Sequence, residues 1–490
     1  MEEASEQSEQ LREAIRAAYR QGEEAVIALV ENLLEVQTEA RGKLESRIKV
    51  LEDQVCKDSK NSSKPPSGDG FKKRTQSLRT KSGRKSGGQP EHPGSTLEWV
   101  NEPDEIKQHL IETCQGCGAS LVEMPILEWQ CAQVHDLVPM EMVVREHQAA
   151  VKKCACCGQS NQAAFPVGVT NRAQYGSRLR SLMVYLMDYQ LLPSARVQAL
   201  LSEVFGCQLS EGTLYEARKN CFESLTEVEA GIIDAVQQAE VAHFDETGLR
   251  VNAKLLWLHV ASTTALTYYF IHPKRGSEAM KAMDILPQFK GTSVHDGWRS
   301  YALYDCVHAL CNAHHLRELR FLVERYQQGW AEQMIALLVT MKAAVEQAQA
   351  QGQTQLTLNE IVQFEQQYRD VINTGLKLNP ANPHLAHARG RPKQTPARNL
   401  LERLDTYQAQ VLRFIYAFQV PFDNNQAERD IRMMKLKQKI SGGFRSEEGV
   451  RIFCRIRGYL STLKKQGHNL LDALEQVFLG HPISLNLQPE

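Results

Sequence analysis

The chain has 490 residues and a formal net charge of −1, with 42% hydrophobic and 23% charged side chains, the profile of a soluble protein with room for about three domains. It holds no run of eighteen or more apolar residues, which argues against a membrane-spanning helix, and its acidic start, MEEASEQSEQ, is unlike a secretory signal. A cytoplasmic location is expected, where twelve cysteines point to metal binding or reduced burial rather than to a disulfide framework.

The small net charge hides segregation. Residues 1–55 carry thirteen acidic and seven basic side chains, residues 57–85 two acidic and ten basic, and residues 429–457 three acidic and nine basic. Basic charge concentrated in this way leaves a nucleic-acid partner open despite the neutral total.

Residues 1–56 read as helix. Ile27, Val30 and Leu34, then Leu44, Ile48, Leu51 and Val55, alternate at spacings of three and four, interrupted by Gln37 and Arg41. This is a short coiled coil with a polar break, and so an oligomer contact, or else an amphipathic helix packed on its own domain. Residues 57–96 are rich in Lys, Ser, Gly and Pro. They bury too little apolar surface to offset ordering entropy, so a flexible basic linker is expected. Its Lys72, Lys73, Arg74, Arg84 and Lys85 are candidate phosphate contacts that bind without reading sequence.

Residues 97–168 contain two knuckles, Cys114-Gln-Gly-Cys117-Gly and Cys154-Ala-Cys156-Cys157-Gly. Thiolates two residues apart grip one tetrahedral ion through a tight turn that glycine permits, so Cys114, Cys117, Cys154 and Cys157 predict a structural Zn²⁺ site. The intervening residues read as strands that bring the knuckles together, and Cys131 and Cys156 are spare or alternative ligands. Four thiolates leave no open position, which assigns this module to folding and DNA contact. Residues 169–238 are helical. A first helix ending at Gly206 and a second capped by Ser210 have a helix-turn-helix cadence, shared with plain helical hairpins.

A β-rich stretch follows from residue 239. EVAHFDETGLRV reads as a strand ending near Asp245, LLWLHVAST and LTYYFIH as two more, then a helix over about Ser277–Ile285, then a strand in GTSVHDGWRSY that delivers Asp296. This order is that of a ribonuclease-H-like α/β core (239–324 and 416–478), in which the first strand lies centrally beside the fourth. Asp245 and Asp296 would then be neighbours. Residues 325–415 read as a helical insertion with a basic loop, RGRPK, at 389–393, and residues 479–490 as a tail. Between Phe422 and Arg457, Asn424 or Asn425 caps a helix with an Ile431, Met434 and Ile440 stripe, Gly442-Gly443 breaks it, and a second helix starts near Glu447. Glu428 sits there among cations. Arg429, Arg432, Lys435, Lys437, Lys439, Arg445, Arg451 and Arg455 are candidate DNA contacts.

A lone Asp at a strand end is ordinarily a turn cap. Asp245, Asp296 and Glu428 together suit phosphodiester chemistry, because carboxylates hold Mg²⁺ or Mn²⁺ and a pair of ions can serve both the attacking and the leaving oxygen. Cys306, His308, Cys311, His314 and His315 form a possible second zinc site, with a structural or phosphate-side role preferred.

These residues resemble a known family. NSSKPPSGDG, the paired knuckles, HFDETGLRV, HDGWRSY, CNAHHLREL, and VPFDNNQAERDIRMMKLKQKISGGFRS with STLKKQG look like the transposase of the insertion-sequence sixty-six family of bacteria. The resemblance implies an acidic-triad transposase carrying Asp245, Asp296 and Glu428, with an N-terminal coiled coil, a zinc-finger domain and a helical insertion before the glutamate. It implies binding of double-stranded DNA at the element ends and at the target, cleavage at the 3′ ends, and joining to target DNA. It also implies small accessory proteins encoded by the same element and a nucleoid-associated site of action. Two other classes compete: a non-catalytic DNA-binding regulator or transposase remnant, and a ribonuclease-H-like nuclease without strand transfer.

Overall fold

A computed structural model describes residues 2–58, 61–62, 97–138, 140–166, 168–382 and 392–487. Most of the basic linker, with Lys72, Lys73, Arg74, Arg84 and Lys85, lies outside the described residues, as do positions 389–391 of RGRPK. The architecture is mixed α/β, and the chain divides into two compact units. One comprises Met1–Gln76, Ala149–Val197 and Ser210–Glu490, the other Ser77–Gln148 and Gln198–Leu209. Among the described residues no helix is long and apolar enough to cross a membrane.

The larger unit opens with α1 (Glu2–Gln21) and α2 (Glu23–Cys56). The break falls at Gly22, whose φ of +114° suits glycine. Gln37 and Arg41, which interrupt the apolar stripe, are good helix formers, and α2 runs on through them. No residue of α2 is buried. A short hairpin, β1 (Val151–Lys153) and β2 (Ser160–Gln162), frames the second knuckle. Then come α3 (Ser177–Val184), a π turn (Tyr185–Tyr189), α4 (Ser194–Phe205), whose residues from Gln198 on belong to the smaller unit, α5 (Glu211–Ser224) and α6 (Thr226–Gln237). Gly206, at φ +64°, ends α4, and the Ser210 hydroxyl caps α5 by accepting the Thr213 N–H at 3.1 Å.

The centre of this unit is a sheet of β3 (Val241–Val251), β4 (Lys254–Ser262), β5 (Thr267–His272), β6 (Thr292–His295) and β7 (Val307–Leu310), with α7 (Ser277–Met283) between β5 and β6. Its order is β5-β4-β3-β6-β7, so the first strand lies centrally beside the fourth. The β3–β4 and β4–β5 pairs are antiparallel, and β3–β6 and β6–β7 are parallel. Sequence reading missed β7, a four-residue strand too short to show a period.

Side chains alternate across a strand, so each parity of β3 meets a different layer. Ala242 and Phe244 pack with Ile232 and Val236 of α6 and Met280 and Met283 of α7. Leu249 and Val251 pack with Ala427, Ile431 and Met434 of α14 (Asn425–Ser441) and Val450, Phe453 and Cys454 of α15 (Glu447–Lys465). Between β7 and α14 the described residues are helical, through α8 (Asn312–Tyr326), α9 (Gly329–Ala350), α10 (Leu358–Leu378), α11 (Pro396–Thr406), α12 (Gln408–Val411) and α13 (Arg413–Tyr416). These helices bury a core of their own around Trp330, Leu338, Tyr368 and Leu401. The chain then closes with α16 (Leu470–Phe478), which packs on α3 and α5.

In the smaller unit the first knuckle is closed by a bridge between Thr113 and Ser120. Of the strands expected between the knuckles, β1 alone forms among the described residues, and strand pairing flanks each knuckle locally.

Candidate active site

Register decides the first two carboxylates. Val241 pairs with Thr292, Ala242 with Ser293 and His243 with Val294, a constant offset of 51 residues. Asp245 and Asp296 are separated by the same 51 positions. Asp296 follows the last residue of β6. Asp245, however, does not end its strand: β3 runs on to Val251 because β4 pairs with it along its whole length. Asp245 therefore sits where the parallel neighbour stops and the antiparallel one continues.

Parity then sorts the acidic pair at 245 and 246. Asp245 shares a face with His243, Leu249 and Val251, the side covered by α14. Glu246 takes the opposite side, where the Tyr301 hydroxyl donates to it at 2.6 Å and the Arg275 guanidinium pairs with it at 2.7 Å. Arg275 is itself held between the rings of Trp257 and Trp298, at 5.1 and 4.3 Å. Glu246 and Arg275 are functional-site neighbours that sequence reading passed over. The only signal was the adjacency of Glu246 to Asp245.

Helix α14 brings the third carboxylate. Asn424 is its N-cap residue but makes no side-chain cap bond. Its amide instead donates to the Phe244 carbonyl at 2.8 Å, its Oδ1 lies 2.8 Å from His243 Nδ1, and its backbone N–H reaches Cys311 Sγ at 3.1 Å. One buried residue thus ties α14 to β3 beside Asp245 and to the start of α8. Asp430 anchors the next turn, with Oδ2 accepting from Ser262 at 2.6 Å and pairing with Lys465 at 3.1 Å. Glu428 lies between these anchors, in the first turn of the helix, where the N-terminal dipole favours a carboxylate. Arg317, His314 and Arg432 approach it at 3.7, 4.0 and 3.8 Å, all beyond hydrogen-bond length.

The electrostatics of Asp245 show the crowding. Burial pushes its carboxyl well above the usual carboxylate range, and the charges of Glu246, Asp296 and Glu428 push it further, against one backbone N–H bond from Glu246. No side-chain cation among the described residues pairs with Asp245 or Asp296. Each gives one oxygen to a backbone N–H, at 2.8 Å from Glu246 and from Trp298. Glu246 is already satisfied by Tyr301 and Arg275. Asp245, Asp296 and Glu428 offer oxygen donors only, the donor type that suits Mg²⁺, but among the described residues the group of three ligand atoms drawn within 4.8 Å of one another is Cys311, His314 and Glu428.

The basic candidates divide. Arg429, Arg432, Lys439, Arg445 and Arg451 are exposed. Lys435 is exposed too, but its Nζ donates to the Gly248 carbonyl at 2.6 Å. Lys437 is turned inward over the rings of Phe444 and Phe453, at 5.4 and 5.0 Å, and burial lowers it to about 8. Arg455 is a correction: it pairs with Glu229 at 2.7 Å and lies 3.8 Å from the Phe222 ring centre, inside the helical layer. Sequence periodicity did not reveal this, because α15 is buried nearly all round.

Each knuckle is a tight turn of the same form. The Gly118 N–H bonds the Cys114 carbonyl and the Gly158 N–H the Cys154 carbonyl, both at 2.9 Å. Backbone N–H groups of Cys117 and Gly116 lower the Cys114 thiol, and those of Cys157 and Cys156 lower Cys154. Of the five residues weighed as a second zinc site, Cys311 and His314 come together with Glu428, while Cys306 Sγ lies 4.0 Å from His308 Nε2. His308 turns to His295 at 3.0 Å, and His315 to Asn312 at 3.2 Å.

The sequence model of the transposase IS66 family matches residues 172–452, more than half of the 490-residue chain. The matched span covers the sheet, all three carboxylates and the helices between them. A model of a family of unknown function matches residues 2–98. No curated protein matches the chain.

Proposed function

The chain belongs to the IS66 transposase family, and we propose that it is a DDE-type DNA strand transferase. In this reading it binds the double-stranded ends of its insertion sequence, cleaves at the 3′ ends and joins them to target DNA. The observation that carries the reading is geometric: the β3–β6 register sets Asp245 and Asp296 on neighbouring strands, and Asn424 ties the start of α14 to β3 beside Asp245, although Glu428 lies 132 residues beyond Asp296. The sheet order supports a ribonuclease-H-like core, and the helical stretch before Glu428 an insertion into it.

Asp245, Asp296 and Glu428 are the residues that would hold Mg²⁺ or Mn²⁺, which when bound supplies Lewis acidity to the oxygens of an in-line displacement. The chain supplies the geometry. The β3–β6 register holds two carboxylates on rigid strands, and Asn424 with Asp430 holds the third on α14. Exposed Arg429, Arg432, Lys439, Arg445 and Arg451 grip backbone phosphates and give affinity that falls with salt. No protein nucleophile is needed. Water breaks the phosphodiester at the element end, leaving its oxygen on the 5′ phosphate and freeing a 3′-hydroxyl. That hydroxyl then attacks a target phosphorus, and the displaced target 3′ oxygen leaves as the new hydroxyl.

The remaining modules serve end pairing in the same proposal. Each knuckle, Cys114 with Cys117 and Cys154 with Cys157, supplies a pair of thiolates to structural Zn²⁺, and α2 pairs with a second copy. Accessory proteins of the element act beside the transposase at the nucleoid. The test is cleavage of labelled element-end DNA in Mg²⁺ by wild type, Asp245→Asn, Asp296→Asn and Glu428→Gln. Wild type is expected to cut, and each variant to bind DNA while losing at least about a thousandfold in rate. Undiminished cutting by Glu428→Gln would remove the helix carboxylate from the mechanism.

A further inference from the structure

One cluster at this site is not explained by magnesium chemistry. Cys311, His314 and Glu428 each present a ligand atom, and these atoms all lie within 4.8 Å of one another. Cys311 is the N-cap residue of α8 and His314 lies in its first turn, while Glu428 comes from α14. His314 Nδ1 stands 4.0 Å from Glu428 Oε1. That nitrogen is sealed from solvent and has no hydrogen-bond partner among the described residues. An unsatisfied buried polar atom costs about 1–3 kcal/mol, so a structural role alone leaves it unaccounted for. Cys311 would pass as an inert core thiol, but its Sγ accepts the Asn424 N–H at 3.1 Å, the outer-shell bond that orients metal-binding thiolates.

We propose that Cys311, His314 and Glu428 form a binding site for a thiophilic divalent cation, Zn²⁺ foremost, and that filling it draws Glu428 away from Asp245 and Asp296. Sulfur and imidazole donors select zinc and reject magnesium. Three protein ligands leave the fourth tetrahedral position to water. With bonds of about 2.0–2.3 Å, tetrahedral ligand atoms lie roughly 3.3–3.8 Å apart, so the cluster needs only side-chain adjustment to close. A neutral imidazole and a thiolate are the ligand forms, so the Cys311 proton leaves to solvent as the ion enters. Arg317 and Arg432 oppose a cation at Glu428, but the Arg432 side chain is 71% exposed and free to swing out. The site therefore acts as a brake: zinc and the magnesium-dependent reaction compete for one glutamate. That second half rests on the catalytic reading of Glu428; zinc binding does not.

The experiment uses the full chain, stripped of metal, reloaded with Zn²⁺ and dialysed, with zinc per protein measured for wild type, Cys311→Ser and His314→Gln. Both variants are expected to lose one equivalent while keeping any zinc held by the knuckles, and with Co²⁺ as probe Cys311→Ser loses the absorbance of one thiolate. Equal stoichiometry in all three overturns the site, and if Cys311→Ser does not fold, His314→Gln decides. Zn²⁺ is then titrated into the Mg²⁺ cleavage reaction. Wild type is expected to be inhibited as the site fills, and His314→Gln to need about tenfold more zinc or beyond. Full occupancy without inhibition overturns the braking role. If wild type never cuts, the catalytic reading fails, while the stoichiometry still decides the metal site.

Discussion

Asp245 is held where its own ionisation is opposed, by burial first and then by Glu246, Asp296 and Glu428. Its folded-state pKa lies above the unfolded value of about 3.9, so the folded chain binds the extra proton. The stability this contributes is fully present below about pH 4 and is lost as pH rises through the raised folded value. Metal-free wild type should therefore lose stability as pH rises above about 4, and Mg²⁺ should restore it most at the alkaline end. Asp245→Asn removes the charge and keeps the shape. In metal-free protein at pH 8 it should raise stability by about 1–3 kcal/mol, seen as a higher Tm, and it should lose the Mg²⁺ response. A variant no more stable than wild type under those conditions would show that the carboxylates do not repel one another as described.

At the scale of elements, α14 and α15 carry most of the local basic charge but use it differently. On α14 the apolar stripe of Ala427, Ile431 and Met434 faces the sheet, which leaves Arg429, Arg432 and Lys439 in solvent. On α15, Arg455 is bound to Glu229 and Arg457 donates to the carbonyls of Asp188 and Tyr189 at 3.3 and 3.0 Å. The loop between them is pinned to the β3–β4 hairpin, with the Asn252 N–H bonding the Phe444 carbonyl at 2.9 Å. A Cβ on Gly443 would meet the Arg250 carbonyl at 2.9 Å, so only glycine fits that approach. Arg432→Ala should weaken DNA binding without regard to sequence and lower the salt slope by about one. Arg455→Ala should leave the slope unchanged and cost about 1–3 kcal/mol of stability by stranding a partly buried Glu229. Binding across a salt series, set beside Tm, separates them; equal slope losses would put Arg455 back on the DNA.

For the whole molecule, the open question of partners centres on α2. Ile27, Val30, Leu34, Leu44, Ile48 and Leu51 are each 45–63% exposed along it. Its C-terminal end is nevertheless tied down, through Arg325 to Glu52 and Asp53 at 2.5 and 3.1 Å and through Tyr326 to Asp53. A long apolar stripe presented from an anchored helix is what a second copy would cover. Leu34→Lys combined with Leu44→Lys should convert an oligomer to monomers in light scattering, with the sheet still folded by circular dichroism. An unchanged mass would assign the oligomer contact elsewhere.

Local chemistry was legible in the amino-acid order. The helical start, the breaks at Gly206 and Gly442-Gly443, the Ser210 cap, the three long strands and α7 follow from periodicity, turn residues and caps, each decided within a few neighbours. The adjacency of the strands that carry Asp245 and Asp296 was legible too, from an element order that sets the first strand beside the fourth. Long-range packing was not. The extension of β3 past Asp245 depends on β4 pairing along its whole length. The diversion of Asn424 from capping to Phe244 and His243, the pairing of Glu246 with Arg275 and Tyr301, and the loss of Arg455 to Glu229 all join residues far apart in the chain. Charge and periodicity say what a side chain prefers; the neighbour that tertiary structure supplies decides whether a cation meets solvent or a buried carboxylate.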